Sequence, residues 1–98
     1  MAMTPEKRVK KAVQKQLDLL GAYYFFPATG GFGRSGVPDI IGCYQGAFFA
    51  IECKAGKNTT TALQDRELAN IRQCGGAAIV VNEGNMDEVH EWLTNLSK

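Results

Sequence analysis

The chain has 98 residues, one domain's worth of polypeptide, of which 45% are hydrophobic and 21% charged. That balance excludes a disordered, collagen-like or low-complexity chain, and apolar runs of only about five residues exclude a membrane-spanning helix, which needs about 20. The net charge of +1 is unevenly spread: residues 1–38 carry six basic and two acidic groups, residues 82–98 one basic and four acidic.

Thr4-Pro5-Glu6 has the chemistry of a helix start: a capping hydroxyl, a proline for the first turn and a carboxylate at the positive end of the dipole. Val9, Ala12, Val13, Leu17 and Leu20 recur at helical spacing, and Gly21 is placed to end that helix. Glu6 lies on or beside the apolar stripe, which aims its carboxylate at the protein body. Lys7, Arg8, Lys10, Lys11 and Lys15 read either as a solvated face or as a phosphate contact.

Residues 22–27 (AYYFFP) read as an aromatic strand and residues 28–38 as a glycine-rich loop. Two strands, 39–44 and 47–54, follow around a Gln45-Gly46 turn. Thr61-x-x-Gln64 is a capping box before a helix at 62–74 with Leu63, Leu68 and Ile71 on its apolar side. Residues 77–82 (AAIVVN) look like a fully buried strand, and Asn85-x-x-Glu88 like the cap of a last helix bearing Met86, Val89, Leu93 and Leu96. The helix at 62–74 is a crossover, so the last strand should run parallel to a neighbour in a mixed sheet.

Three widely spaced cysteines, Cys43, Cys53 and Cys74, form no closed disulfide framework, and His90 is the single histidine. The expectation is reduced, mostly buried thiols in a cytosolic protein, with no structural zinc and a surface role for His90. Residues 1–9 are polar and lack the apolar core of a secretory signal.

A two-residue turn at Gln45-Gly46 sets Tyr44 opposite Ala47 and therefore Asp39 opposite Glu52. Glu52 and Lys54 share a face. Two like charges directly opposed are destabilising, so the pair needs compensation. One solution is a strand-end salt bridge, Asp39–Lys54 or Glu52–Lys54. The other is a hard divalent cation such as Mg²⁺ held by the carboxylates, which would favour hydrolysis at phosphorus with Lys54 offsetting developing charge.

Gly36-Val37-Pro38-Asp39, then Glu52-Cys53-Lys54, resembles the P-D…(D/E)-x-K signature of the restriction-endonuclease-like nucleases, and the element order α-β-β-β-α-β matches their core. More closely, Glu6, the G-x-P-D motif, the E-x-K motif and Gln64 at the next helix start resemble the VRR-NUC (virus-type replication-repair nuclease) family over roughly residues 6–93. The resemblance implies an α/β fold: a restriction-endonuclease-like αβββαβ core with a central mixed four-stranded sheet flanked by helices, plus a C-terminal helix. It implies a metal-dependent DNA endonuclease using Mg²⁺, with Mn²⁺ substituting. Asp39, Glu52 and the backbone carbonyl of Cys53 would bind the cation, and Lys54 would be catalytic. Glu6 would act through a water on the cation or through a second cation, and Gln64 would support the site.

The expectation is a single stand-alone domain over residues 1–98, acting on branched, Holliday-junction-like DNA as a homodimer in the cytoplasm of a bacterial or phage-infected cell. Exposed aromatics such as Tyr23 or Trp92 are candidate dimer surface. Arg34, Ser35, Lys7, Lys10 and Lys11 are candidate DNA contacts. Gly31-x-Gly33-x-x-Gly36 lacks the helix that a dinucleotide site needs, and Gly56-Lys57 lacks the rest of a phosphate-binding loop. Cys53 should point away from the site, with no base beside it.

Overall fold

Thr4 caps α1 (Pro5–Leu20): its Oγ1 accepts the Lys7 N–H at 3.3 Å, and Gly21 ends the helix in the left-handed region at φ 72°. The computed structural model describes residues 3–28 and 33–96. After α1 come β1 (Tyr23–Phe25), β2 (Ile40–Tyr44), β3 (Ala47–Cys53), α2 (Ala62–Gln73), β4 (Ala77–Val81), a 3-10 turn (Met86–Glu88) and α3 (Val89–Leu96). The sheet order is β1-β2-β3-β4, antiparallel except for the parallel β3–β4 pair that the α2 crossover creates.

The β2–β3 turn has φ 51° at Gln45 and 82° at Gly46, the positive pair that a tight two-residue hairpin turn requires. It fixes Tyr44 opposite Ala47 and, four residues on, Ile40 opposite Ile51. One sheet face presents Ile40, Phe49, Ile51 and Cys53. Val9, Val13 and Leu17 of α1 and Val89 and Leu93 of α3 pack there, and with Val81 these residues make the core. The α1–α3 seam is tied by Gln16, which donates to the Met86 carbonyl at 2.5 Å and accepts the His90 N–H at 2.9 Å. His90 is thus a surface residue with a structural contact.

α2 lies on the other face. It covers the β3–β4 half and leaves Tyr23, Cys43 and Phe48, which are in register across β1, β2 and β3, exposed. This one-sided cover corrects several expectations. β1 is three residues rather than six. β4 is a half-buried edge strand rather than a fully buried one, because no strand among the described residues pairs its outer side. Of the cysteines only Cys53 is buried; Cys43 lies on the uncovered face and Cys74 at the end of α2. Leu63 is exposed, and the buried residues of α2 are Glu67 and Leu68. Asn85 caps nothing: its Oδ1 accepts the Asn82 N–H and its Nδ2 donates to the Val80 carbonyl, while a 3-10 turn leads into α3. Trp92 packs against the core, whereas Tyr23 is 70% exposed.

Candidate active site

Asp39 stands immediately before β2 and Glu52 near the end of β3, and the hairpin register brings them face to face. They interlock through the backbone. Asp39 N–H donates to Glu52 Oε1 at 3.2 Å, and Cys53 N–H donates to Asp39 Oδ2 at 2.9 Å. Glu52 is only 3% exposed. Its Oε2 accepts from Gln64 Nε2 at 3.0 Å and lies 3.4 Å from Lys54 Nζ. Burial, and then the charge of Asp39, push the Glu52 carboxyl above the usual glutamate range despite Lys54 and the Asp39 N–H.

Gln64 performs both tasks its position suggests. Its Oε1 accepts the Thr61 N–H at 2.9 Å and its N–H donates to Thr61 Oγ1 at 3.2 Å, closing the capping box. Its Nε2 remains for Glu52. The helix start and the site share one side chain.

Glu6 reaches the site only indirectly. Its side chain is exposed, and Lys10 Nζ lies between them, 3.5 Å from Glu6 Oε2 and 3.7 Å from Asp39 Oδ1. Burial works against the Lys10 ammonium, but Asp39 and Glu6 outweigh it and hold its pKa above the ordinary lysine value. Lys10 is thus an internal ion-pair partner, where the sequence suggested an outward DNA contact. Among the described residues no three His, Cys, Asp or Glu side chains converge on one point. Two carboxylates meet at the hairpin end, oxygen donors with the chemistry of a hard cation. The Cys53 side chain points into the core, and burial, then Asp39 and Glu52, push its thiol up to about 12, so it is no nucleophile.

Among solved structures, one titled "VRR_NUC domain" matches with a TM-score of 0.72 and 24% identity, over 91% of this chain and 97% of that one. This chain has the VRR_NUC fold. No family model and no curated protein matches the sequence. That fold is a mixed four-stranded sheet flanked by helices, with a C-terminal helix.

The remaining candidates scatter around this frame. Lys7, Lys11 and Ser35 are exposed. Arg34 is turned onto α2: its Nε and Nη2 donate to the two oxygens of Glu67 at 3.0 and 2.8 Å, and its side chain is otherwise exposed. Gly31 and Phe32, the start of the glycine motif, lie outside the described residues. No motif in the sequence marks Glu67, although it falls three residues after Gln64 and so on the same side of α2. Nor does one mark Glu83. It accepts the Gly56 N–H through both carboxylate oxygens, at 3.1 and 3.0 Å, and so anchors the loop that follows Lys54.

Proposed function

We propose that this chain is a metal-dependent DNA endonuclease that hydrolyses phosphodiester bonds, with branched, junction-like DNA as its preferred substrate. The observation that carries the reading is the interlocked Asp39–Glu52 pair, one member buried, with Lys54 beside it at the end of a VRR_NUC-type sheet. A single strand-end salt bridge does not account for a second carboxylate set against a buried glutamate, an opposition that costs stability and that a hard cation would relieve.

Asp39, Glu52 and the Cys53 carbonyl are the residues that would hold Mg²⁺ or Mn²⁺. When bound, such a cation offsets charge on phosphate oxygens and makes water a stronger nucleophile at neutral pH. The chain's own groups do the positioning. Gln64 and the Asp39 N–H fix both oxygens of Glu52, and the Cys53 N–H fixes Asp39. Lys54, held by Glu52, supplies an ammonium that orients the attacking water or offsets charge developing on phosphate. In the reaction a water oxygen bonds to phosphorus and the bond to one bridging oxygen breaks. The leaving sugar oxygen gains a proton, and a phosphate monoester remains.

Cutting two strands of a junction needs two sites, which a two-fold dimer supplies. The exposed β1 edge with Tyr23 and Phe25 supports such pairing. Free cysteines, two of them exposed, suit the reducing cytoplasm.

The test is cleavage of end-labelled duplex, single-strand, flap and four-way-junction DNA with Mg²⁺, Mn²⁺ or EDTA. Wild type should cut the junction best and only with the cation, and Asp39→Ala should lose at least about 10²-fold in rate, the usual scale for loss of a charge-stabilising group. Mn²⁺ binding without cleavage of any substrate would make this a binding module instead.

A further inference from the structure

Each carboxylate of the Asp39–Glu52 pair is met by one lysine, and the two lysines are held in different ways. Lys54 sits directly after β3, two residues from Glu52, with its backbone N–H donating to the Val81 carbonyl at 2.9 Å. Lys10 comes from a different element. It stands one turn after Glu6 on α1, and its ammonium lies between Glu6 and Asp39 at 3.5 and 3.7 Å. Its side chain is 30% exposed, and the Glu6 carboxylate beside it is more open still. A flexible four-carbon stem carries this charge. Withdrawing about one ångström-scale step towards Glu6 would keep the ammonium paired at every point. Asp39 Oδ2 is committed to the Cys53 N–H, so Oδ1, the oxygen facing Lys10, is the one left to a competing cation.

We infer that Lys10 is a tethered counter-ion: it neutralises Asp39 in the metal-free protein and retreats onto Glu6 when a divalent cation binds, so that it sets the affinity of the site from within. This rests on the metal-dependent reading above. It gives Glu6 a role that needs no contact with the cation, since Glu6 becomes the resting place of the displaced ammonium. It also explains why an exposed carboxylate on α1 aligns with a site it does not touch. Lys10 is a positioning residue here, acting through Asp39.

The experiment is calorimetric titration of Mn²⁺ into wild type, Lys10→Met, Lys10→Arg and Asp39→Ala, with thermal melts of each in EDTA. Lys10→Gln stands in should the methionine variant fail to fold. Lys10→Met should bind Mn²⁺ about tenfold more tightly, because a like charge a few ångströms from the cation has gone. In EDTA it should melt below wild type, having lost the partner of Asp39. Lys10→Arg, which keeps the charge, should stay within about threefold of wild-type affinity. Equal or weaker Mn²⁺ binding by Lys10→Met, with wild type binding normally, overturns the inference and leaves the nuclease reading standing. No Mn²⁺ binding by wild type, matching Asp39→Ala, defeats both.

Discussion

Gln64 is where capping and chemistry meet, and the two can be separated. Gln64→Glu keeps an oxygen for the Thr61 N–H, so the capping box survives. It also replaces the amide that donates to Glu52 with a third carboxylate. Glu52, already held high by burial and by Asp39, is pushed further up. A cation binds the ionised carboxylate, so protons compete with it and affinity falls as pH falls. The cap interaction, about 1 kcal/mol, is kept, but the raised Glu52 pKa costs stability at neutral pH, so the variant should melt below wild type at pH 7 and recover towards it as pH falls. The acid limb of its cleavage profile should shift to higher pH and its rate should drop about tenfold or more. A variant with a wild-type pH profile would make Gln64 a cap and nothing else. The Asp39–Glu52 pairing was legible because the Gln45-Gly46 turn fixes every opposed pair down the hairpin. The Lys10–Asp39 contact was not, because it depends on how α1 is rotated against the strand ends. Packing of Val9, Val13 and Leu17 decides that rotation.

Between elements, the segment before β2 holds α2 in place, and α2 in turn holds Gln64. Gly36 has φ 79°, and a Cβ there would lie 2.6 Å from the Leu63 carbonyl carbon and oxygen and 2.9 Å from the Gln64 nitrogen. Glycine is needed for both the conformation and the approach. Gly36→Ala should cost about 2 kcal/mol or more in a denaturant melt, from backbone strain plus displacement of the helix start. It should also lower cleavage more than its stability loss alone requires, which single-turnover rates at a temperature where both proteins are folded would show. Arg34 and Glu67 clamp the same segment. Arg34 hydrogen bonding holds the Glu67 carboxyl below its usual pKa. In the window between the two pKa values the unfolded state binds more protons. The pair therefore stabilises above the unfolded value and loses its effect as pH falls through the folded one. The melting difference between wild type and Arg34→Met should be full at pH 7 and vanish in acid. This clamp also explains the misplaced apolar stripe of α2. A helical pattern marks the side that faces the protein, but an arginine from a loop lets a glutamate occupy that side, while Leu63 turns to solvent at the first turn. The element order and the parallel crossover were legible because strand and helix periods differ so clearly. The burial of β4 was not, since an apolar run looks the same in a central strand and in a strand at the sheet edge.

The layers leave the molecule lopsided. α1 and α3 seal one face of the sheet, while α2 seals only the β3–β4 half of the other. The uncovered half carries Tyr23 and Phe25, with ring centroids 6.4 Å apart, on a three-residue edge strand. Nothing within the described chain pairs the outer side of β1, where natural sheets otherwise place charge or cover. If two chains meet there about a two-fold axis, the aromatic pair of each lies at the centre of the contact, and a central aromatic carries about 2 kcal/mol or more of such an interface, roughly thirtyfold in Kd. Phe25→Lys should then turn a sedimenting dimer into a monomer at micromolar concentration without lowering the melting temperature of the single chain, because Phe25 contributes little to the core. Mn²⁺ affinity should be unchanged, because each site is built within one chain from α1, β2, β3 and α2. Paired cutting of a four-way junction should fall, while single nicks persist. A wild-type monomer at these concentrations would instead assign the exposed β1 aromatics to DNA, against whose bases or sugars they would pack beside the site.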